Sequence, residues 1–143
     1  MNVFYKIKEA ITSEIKGYDT INKVTYGDIS DVDLDKTTDY ALAHYIVNTV
    51  STRKNVYVLD VSVIFMDIVD DNFNNTDDVQ NTMILASSRL RESFERGSLY
   101  DLGIQLDGEN VENELFVDRF KDKVAGVTST YSIKVANNMS VCQ

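Results

Sequence analysis

Hydrophobic and polar positions alternate with period two over the longest stretch of this chain, Asp39 to Val69. Tyr40, Leu42, His44, Ile46, Asn48 and Val50 fall on one face, and Ala41, Ala43, Tyr45, Val47 and Thr49 on the other. The polar run Ser51-Thr52-Arg53-Lys54-Asn55 interrupts the pattern, which then resumes. Tyr57, Leu59, Val61, Val63 and Phe65 make one face of the second arm; Val56, Val58, Asp60, Ser62, Ile64 and Met66 make the other. Period-two alternation on both sides of a short polar turn predicts a β-hairpin. At roughly 3.3 Å per residue its arms reach about 40 Å, well beyond an ordinary strand.

The flanking segments carry helical spacing. Phe4, Ile7, Ile11 and Ile15 recur every three or four residues with Lys6, Lys8, Glu9, Glu14 and Lys16 opposite, which predicts an amphipathic helix over 2–16 ended near Gly17. Val79, Met83, Ala86, Leu90 and Phe94 form the stripe of a second helix starting near Thr76 or Asp77 and ending at Gly97. Asp77 and Asp78 in its first turn, and Arg89, Arg91 and Arg96 in its later turns, suit the helix dipole. Residues 21–29 read as a short strand or extended arm. Ile104-Gln105-Leu106 reads as a short strand within a loop-rich stretch over 98–115, and Phe116 to Val124 fits either strand or helix. Val127, Ser129, Tyr131, Ile133 and Val135 alternate as a last strand, followed by a tail from Asn137 to Gln143. Gly27, Gly97, Gly103, Gly108 and Gly126 read as turn or cap glycines. The order helix, strand, long hairpin, helix, strands predicts an α+β fold. Its sheet is mostly antiparallel, its helices pack on one face, and residues 1–143 form a single domain.

Charge narrows the function. The formal net charge is −9, from 23 acidic and 14 basic residues, so a phosphate-gripping nucleic-acid binder is disfavoured. A surface that lies beside DNA without adhering to it is compatible with this balance. The single cysteine, Cys142, permits no internal disulfide and points to synthesis in a reducing compartment. No apolar run approaches the roughly 18 residues of a membrane span, and Met1 to Lys6 has no apolar signal-peptide core.

Candidate chemistry is sparse. The lone His44 lies within the strand alternation without an evident nucleophile or carboxylate partner, and reads as structural or interfacial. Asp28, Asp31, Asp33 and Asp35 resemble a cation loop in composition. However, the sixth position from Asp28 is Asp33 rather than Gly and the twelfth is Asp39 rather than Glu, so the calcium-loop pattern fails. Asp67, Asp70, Asp71, Asp77 and Asp78 fall at a strand end, a turn and a helix start, where Asp serves structure. No phosphate loop, dinucleotide fingerprint, paired-cysteine motif or nucleophile elbow is present. The expectation is a non-enzymatic chain with no catalytic residue, no cofactor and no metal.

Three stretches carry a resemblance. Tyr26-Gly27-Asp28-Ile29-Ser30-Asp31-Val32-Asp33-Leu34 leads to Ala43-His44-Tyr45-Ile46-Val47-Asn48. Val63-Ile64-Phe65-Met66-Asp67-Ile68-Val69 closes the hairpin. Phe116-Val117-Asp118-Arg119-Phe120 precedes Ala125-Gly126-Val127. With the element order, these resemble the tail terminator or tail-completion proteins of tailed bacteriophages, of the kind found in Bacteroides-type and crAss-like phages. The resemblance implies a structural virion protein, made in the host cytoplasm, that forms a homo-oligomeric ring in the neck or tail. Such a ring joins tail components to the portal or connector and lines a passage that genomic DNA crosses without sequence-specific binding or membrane contact. Asp28, Asp31, Asp33, Asp35, Asp70 and Asp71 are then candidate interface residues towards neighbouring rings. Two other classes remain open: a small acidic metal-dependent hydrolase using the Asp clusters, and an adaptor that binds a peptide strand at an exposed sheet edge.

Overall fold

The long hairpin organises the architecture. The computed structural model describes residues 3–27, 40–69, 72, 74–108, 111–117 and 124–136. In chain order the elements are α1 (Val3–Lys16), β1 (Lys23–Tyr26), β2 (Leu42–Arg53), β3 (Val56–Ile68), α2 (Thr76–Arg96), the single-turn α3 (Ser98–Asp101), β4 (Ile104–Leu106), β5 (Glu112–Val117) and β6 (Val124–Ala136). The strands form one six-stranded sheet in the order β1-β2-β3-β6-β4, with β5 also paired to β6. Only the β1–β2 pairing is parallel; β2–β3, β3–β6, β4–β6 and β5–β6 are antiparallel. The fold is α+β with a mostly antiparallel sheet, as the sequence pattern predicts.

Both long helices cover the same sheet face. Ile7, Ile11 and Ile15 of α1 and Met83, Leu90 and Phe94 of α2 pack with Tyr45, Val61, Val63, Phe65, Val127, Tyr131 and Ile133 in one buried cluster. Each fully buried aliphatic side chain contributes about 1.5–3 kcal/mol by leaving water, so the two helical stripes hold the layers together. Asn75 precedes α2 without a side-chain cap, and Asp77 and Asp78 in its first turn supply the favourable charge instead. On the opposite sheet face a smaller cluster joins Leu42, Ile64, Met66, Phe116 and Val124.

Three details differ from the sequence pattern. The polar run 51–55 is not a five-residue turn: β2 continues to Arg53 opposite Val56, and Lys54 and Asn55 alone make the connection, with Asn55 at φ 70°. Asn tolerates that left-handed conformation better than most residues. The alternation along β2 also breaks. Its register shifts between Val47 and Thr49, leaving Asn48 as a bulge. The extra residue inverts the faces beyond it. Val50 therefore sits opposite Leu59 on the helix-covered side, not with His44 as strict alternation would have it. The bulge is fastened from β3, with Asn48 donating to Ser62 Oγ at 2.7 Å and Thr49 donating to Asp60 at 3.0 Å.

The third concerns Gly126, which is neither turn nor cap. It lies inside β6, between Met66 of β3 and Phe116 of β5. A Cβ there would overlap the carbonyl oxygen of Phe65 and approach Met66 Cα to 2.9 Å. Only glycine lets the backbones come this close. The strand β5 begins at Glu112, inside the stretch expected to be loop-rich, and takes in only Phe116 and Val117 of the segment left open between strand and helix; residues 118–123 lie outside the described residues, and β6 begins at Val124, three residues before the alternation predicts. The tail from Asn137 lies outside the described residues.

A polar network sits inside the core between α2, β5 and β6. The Tyr131 hydroxyl donates to the Ser87 carbonyl at 2.8 Å, Ser129 donates to Asn113 Oδ1 at 2.6 Å, and the Ser87 hydroxyl lies 2.6 Å from that of Ser129. Ser87, Ser129 and Tyr131 are buried, and no buried side-chain donor or acceptor among the described residues lacks a partner. Such a network fixes which residues of α2 and β6 meet.

Two predictions follow from the packing. Gly126→Ala forces the β3 and β6 backbones apart and lowers stability by about 3 kcal/mol or more; a thermal melt reads this as a midpoint roughly 10 °C lower. Burial and the Glu14 carboxylate push the Tyr18 phenol well above its ordinary value of 10.0, burial does the same for Tyr131, and burial raises Tyr45 as well. Folding favours their neutral forms, so this stabilisation is intact below pH 10 and fades as pH rises above it. In an alkaline titration these three phenols should gain tyrosinate absorbance only together with loss of the circular-dichroism signal. Ionisation before unfolding would contradict their placement.

Candidate functional site

The only histidine is a structural one. His44 is buried on β2, with Nε2 2.7 Å from the Gly27 carbonyl and Nδ1 2.6 Å from Thr25 Oγ1. A carbonyl can only accept, so Nε2 carries a proton and donates it. Both ring nitrogens are thereby engaged in tying β2 to β1 and the turn after it. This agrees with the structural reading of a lone imidazole in a strand.

The candidate interface residues Asp28, Asp31, Asp33, Asp35, Asp70 and Asp71 all lie outside the described residues, as does Cys142. Asp77 and Asp78 sit in the first turn of α2, and Asp67 accepts from the Ile68 backbone N–H at 2.8 Å. Among the described residues no three His, Cys, Asp or Glu side chains come together as a metal site. No described helix is long and apolar enough to cross a membrane.

A cavity of about 620 Å³ opens between α1 and α3, lined by Ala10, Leu99, Leu102 and Ile104 and by the polar side chains of Lys6 and Glu9 among others. Its polar lining is one lysine, two glutamates and two serines spread along helix surfaces.

The more distinctive features are the sheet edges. β1 covers β2 only from Leu42 to Tyr45. From Ile46 to Arg53 the outer side of β2 has no strand partner among the described residues, and the strand goes from half-buried at Ile46 and Val47 to exposed from Asn48 onward. On the opposite side β6 is flanked by two short strands: β4 beside Ile133 to Val135, and β5 beside Ala125 to Thr130. β5 has no second described partner, and only Phe116 of its six residues is buried. Among the described residues the sheet therefore presents two free edges on opposite sides and at opposite ends of β3. An unpaired strand edge is a row of backbone donors and acceptors that invites another strand.

The two edges differ chemically. The β2 edge ends in two cations, Arg53 and Lys54, with Arg53 also reaching Asp107 at 3.5 Å. The β5 edge carries two carboxylates, Glu112 and Glu114. Both show exposed apolar side chains on the helix-covered side of the sheet: Val50 on β2, and Leu115 and Val117 on β5. The β-favouring run Leu115-Phe116-Val117 was the available sequence signal for β5. It is hidden by the surrounding loops and by Phe116, Val117 and Phe120, which also fit a helix.

Models of known protein families give no match to this chain, and no curated protein matches it.

If His44 fastens β1 to β2, His44→Ala leaves the Gly27 carbonyl and Thr25 without partners. Stability should fall by about 2–3 kcal/mol, seen as a lower urea midpoint with an unchanged slope.

Proposed function

We propose that this chain is a structural virion protein that assembles head to tail into a ring in the neck or tail of a tailed bacteriophage. The ring joins tail components to the portal or connector, and genomic DNA passes through its lumen. The observation that carries this reading is the pair of free edges on opposite sides of one sheet. A surface that meets a different surface of the next copy makes a heterologous contact, and repetition of that contact closes a ring when the rotation allows. The long hairpin is the lever for such a contact, because β2 projects beyond the short β1 that covers its other half. The resemblance of the hairpin and of the Phe116 to Val127 region to tail terminator proteins supports the same reading. So does the net charge of −9: a negative wall repels phosphates and lets the duplex slide.

A second reading draws on the same edges. An adaptor capturing a peptide strand by β-augmentation would also need an exposed edge. The two differ in stoichiometry: the adaptor is a monomer with one foreign strand, the ring a closed assembly of identical copies.

Negative-stain electron microscopy of the purified chain over a concentration series tests the ring. Closed annuli of one size, with a hole that passes duplex DNA, are expected. A monomer at every concentration, unchanged when portal complexes are added, would remove the ring in favour of the adaptor.

A further inference from the structure

The two free edges match each other in register, pleat and charge. In antiparallel pairing, which copies related by rotation about an axis along the strands adopt, β2 of one copy runs beside β5 of the next. Pleating allows only shifts that keep inner side chains opposite inner ones. Arg53 aligns with Val56 of β3, whereas Glu112 aligns through Thr130 with Ser62, six residues further along. Moving the neighbour by this even shift places its Arg53 opposite Glu112, Thr52 opposite Asn113, Ser51 opposite Glu114, Val50 opposite Leu115 and Thr49 opposite Phe116. One alignment thus pairs opposite charges on the open side of the sheet and exposed aliphatics on the helix side. Val50 is 53% and Leu115 51% exposed in the isolated chain, and the contact would cover both. The same shift sets the neighbour's β1 end to end with β5, because β1 occupies the step beside Leu42 to Tyr45 that β2 leaves beyond its free half. The bulge at Asn48 ends the paired run.

We propose that this β2–β5 pairing, in this register, is the contact between successive copies of the chain. It deepens the ring reading and rests on it for closure alone: the pairing itself requires only self-association. Cross-strand pairs of opposite charge or of apolar residues contribute about 0.2–1 kcal/mol each, and the ladder hydrogen bonds supply the rest.

Two double variants in a Cys142→Ser background test the register: Val50→Cys with Leu115→Cys, and Ser51→Cys with Glu114→Cys. Within one copy each pair is separated by three strand spacings and six residues of rise, roughly 20 Å or more, beyond disulfide reach. Oxidation of the purified chain is expected to give a ladder of covalent multimers from at least one pair, since neighbouring positions alternate between the two kinds of antiparallel site. Arg53→Glu should weaken association about fivefold by sedimentation, and adding Glu112→Arg should restore it to within about twofold, given the energy of one cross-strand charge pair. That rescue is foreign to a merely structural role for Arg53. Rings without cross-links would overturn the pairing and leave the ring standing. Cross-linked open filaments would uphold the pairing and overturn the ring. An absence of self-association at every concentration would overturn the pairing.

Discussion

The β3–β6 ladder is the constraint on which the other elements depend. Both strands run 13 residues and pair from Val56↔Ala136 to Ile68↔Val124 without interruption. Neither strand has a free edge along this seam, and their helix-facing side chains supply the floor under α2. Every other strand is attached to one side of this pair: β2 and then β1 beyond β3, β4 and β5 beyond β6. The position of each outer strand along the seam therefore sets which stretch of edge is left open.

Two features hold the seam in one register. Gly126 permits an approach of the β3 and β6 backbones that any side chain would block, so a slipped register would bring a larger residue into that space. The hydroxyls of Ser129 and Tyr131 meet Ser87 from α2 and Asn113 from β5. In a core this polar cluster is satisfied in one arrangement only, and leaving such a group unpaired costs about 1–3 kcal/mol. Hydrophobic burial drives the layers together; the hydroxyl network and the glycine select how they meet.

In the proposed assembly, the edges are where this fold meets other copies of itself. A sheet that ends in two exposed strands risks indiscriminate pairing unless something makes the pairing selective. In the proposed pairing, selectivity would come from the bulge at Asn48, which limits the length of the β2 edge that can pair, and from unlike chemistry: cations at the hairpin tip, carboxylates on β5. A chain of this kind is suited to join copies of itself in one direction, which is the requirement for a ring subunit. The proposed function thus follows from the sheet's boundary and not from any constellation of reactive side chains.

Local periodicity in the sequence determined the helices, the long hairpin, the last strand and the α+β class, because amphipathic spacing reports which face of an element is buried. It also marked His44 as structural, since no catalytic partner accompanied it. Residues 28–39 and 70–71, which hold the acidic interface candidates, lie outside the described residues and are known from sequence alone. What the tertiary structure decided is long-range. The bulge that turns Val50 to the helix side depends on pairing with β3, and the need for glycine at 126 depends on the Phe65 backbone. The Ser87–Ser129–Tyr131–Asn113 network joins residues up to 44 positions apart, and the free edges of β2 and β5 depend on which strands fail to reach them. Periodicity describes one element against an assumed core, whereas register, close approach and exposed edges are properties of two or more elements at once, fixed only when they pack.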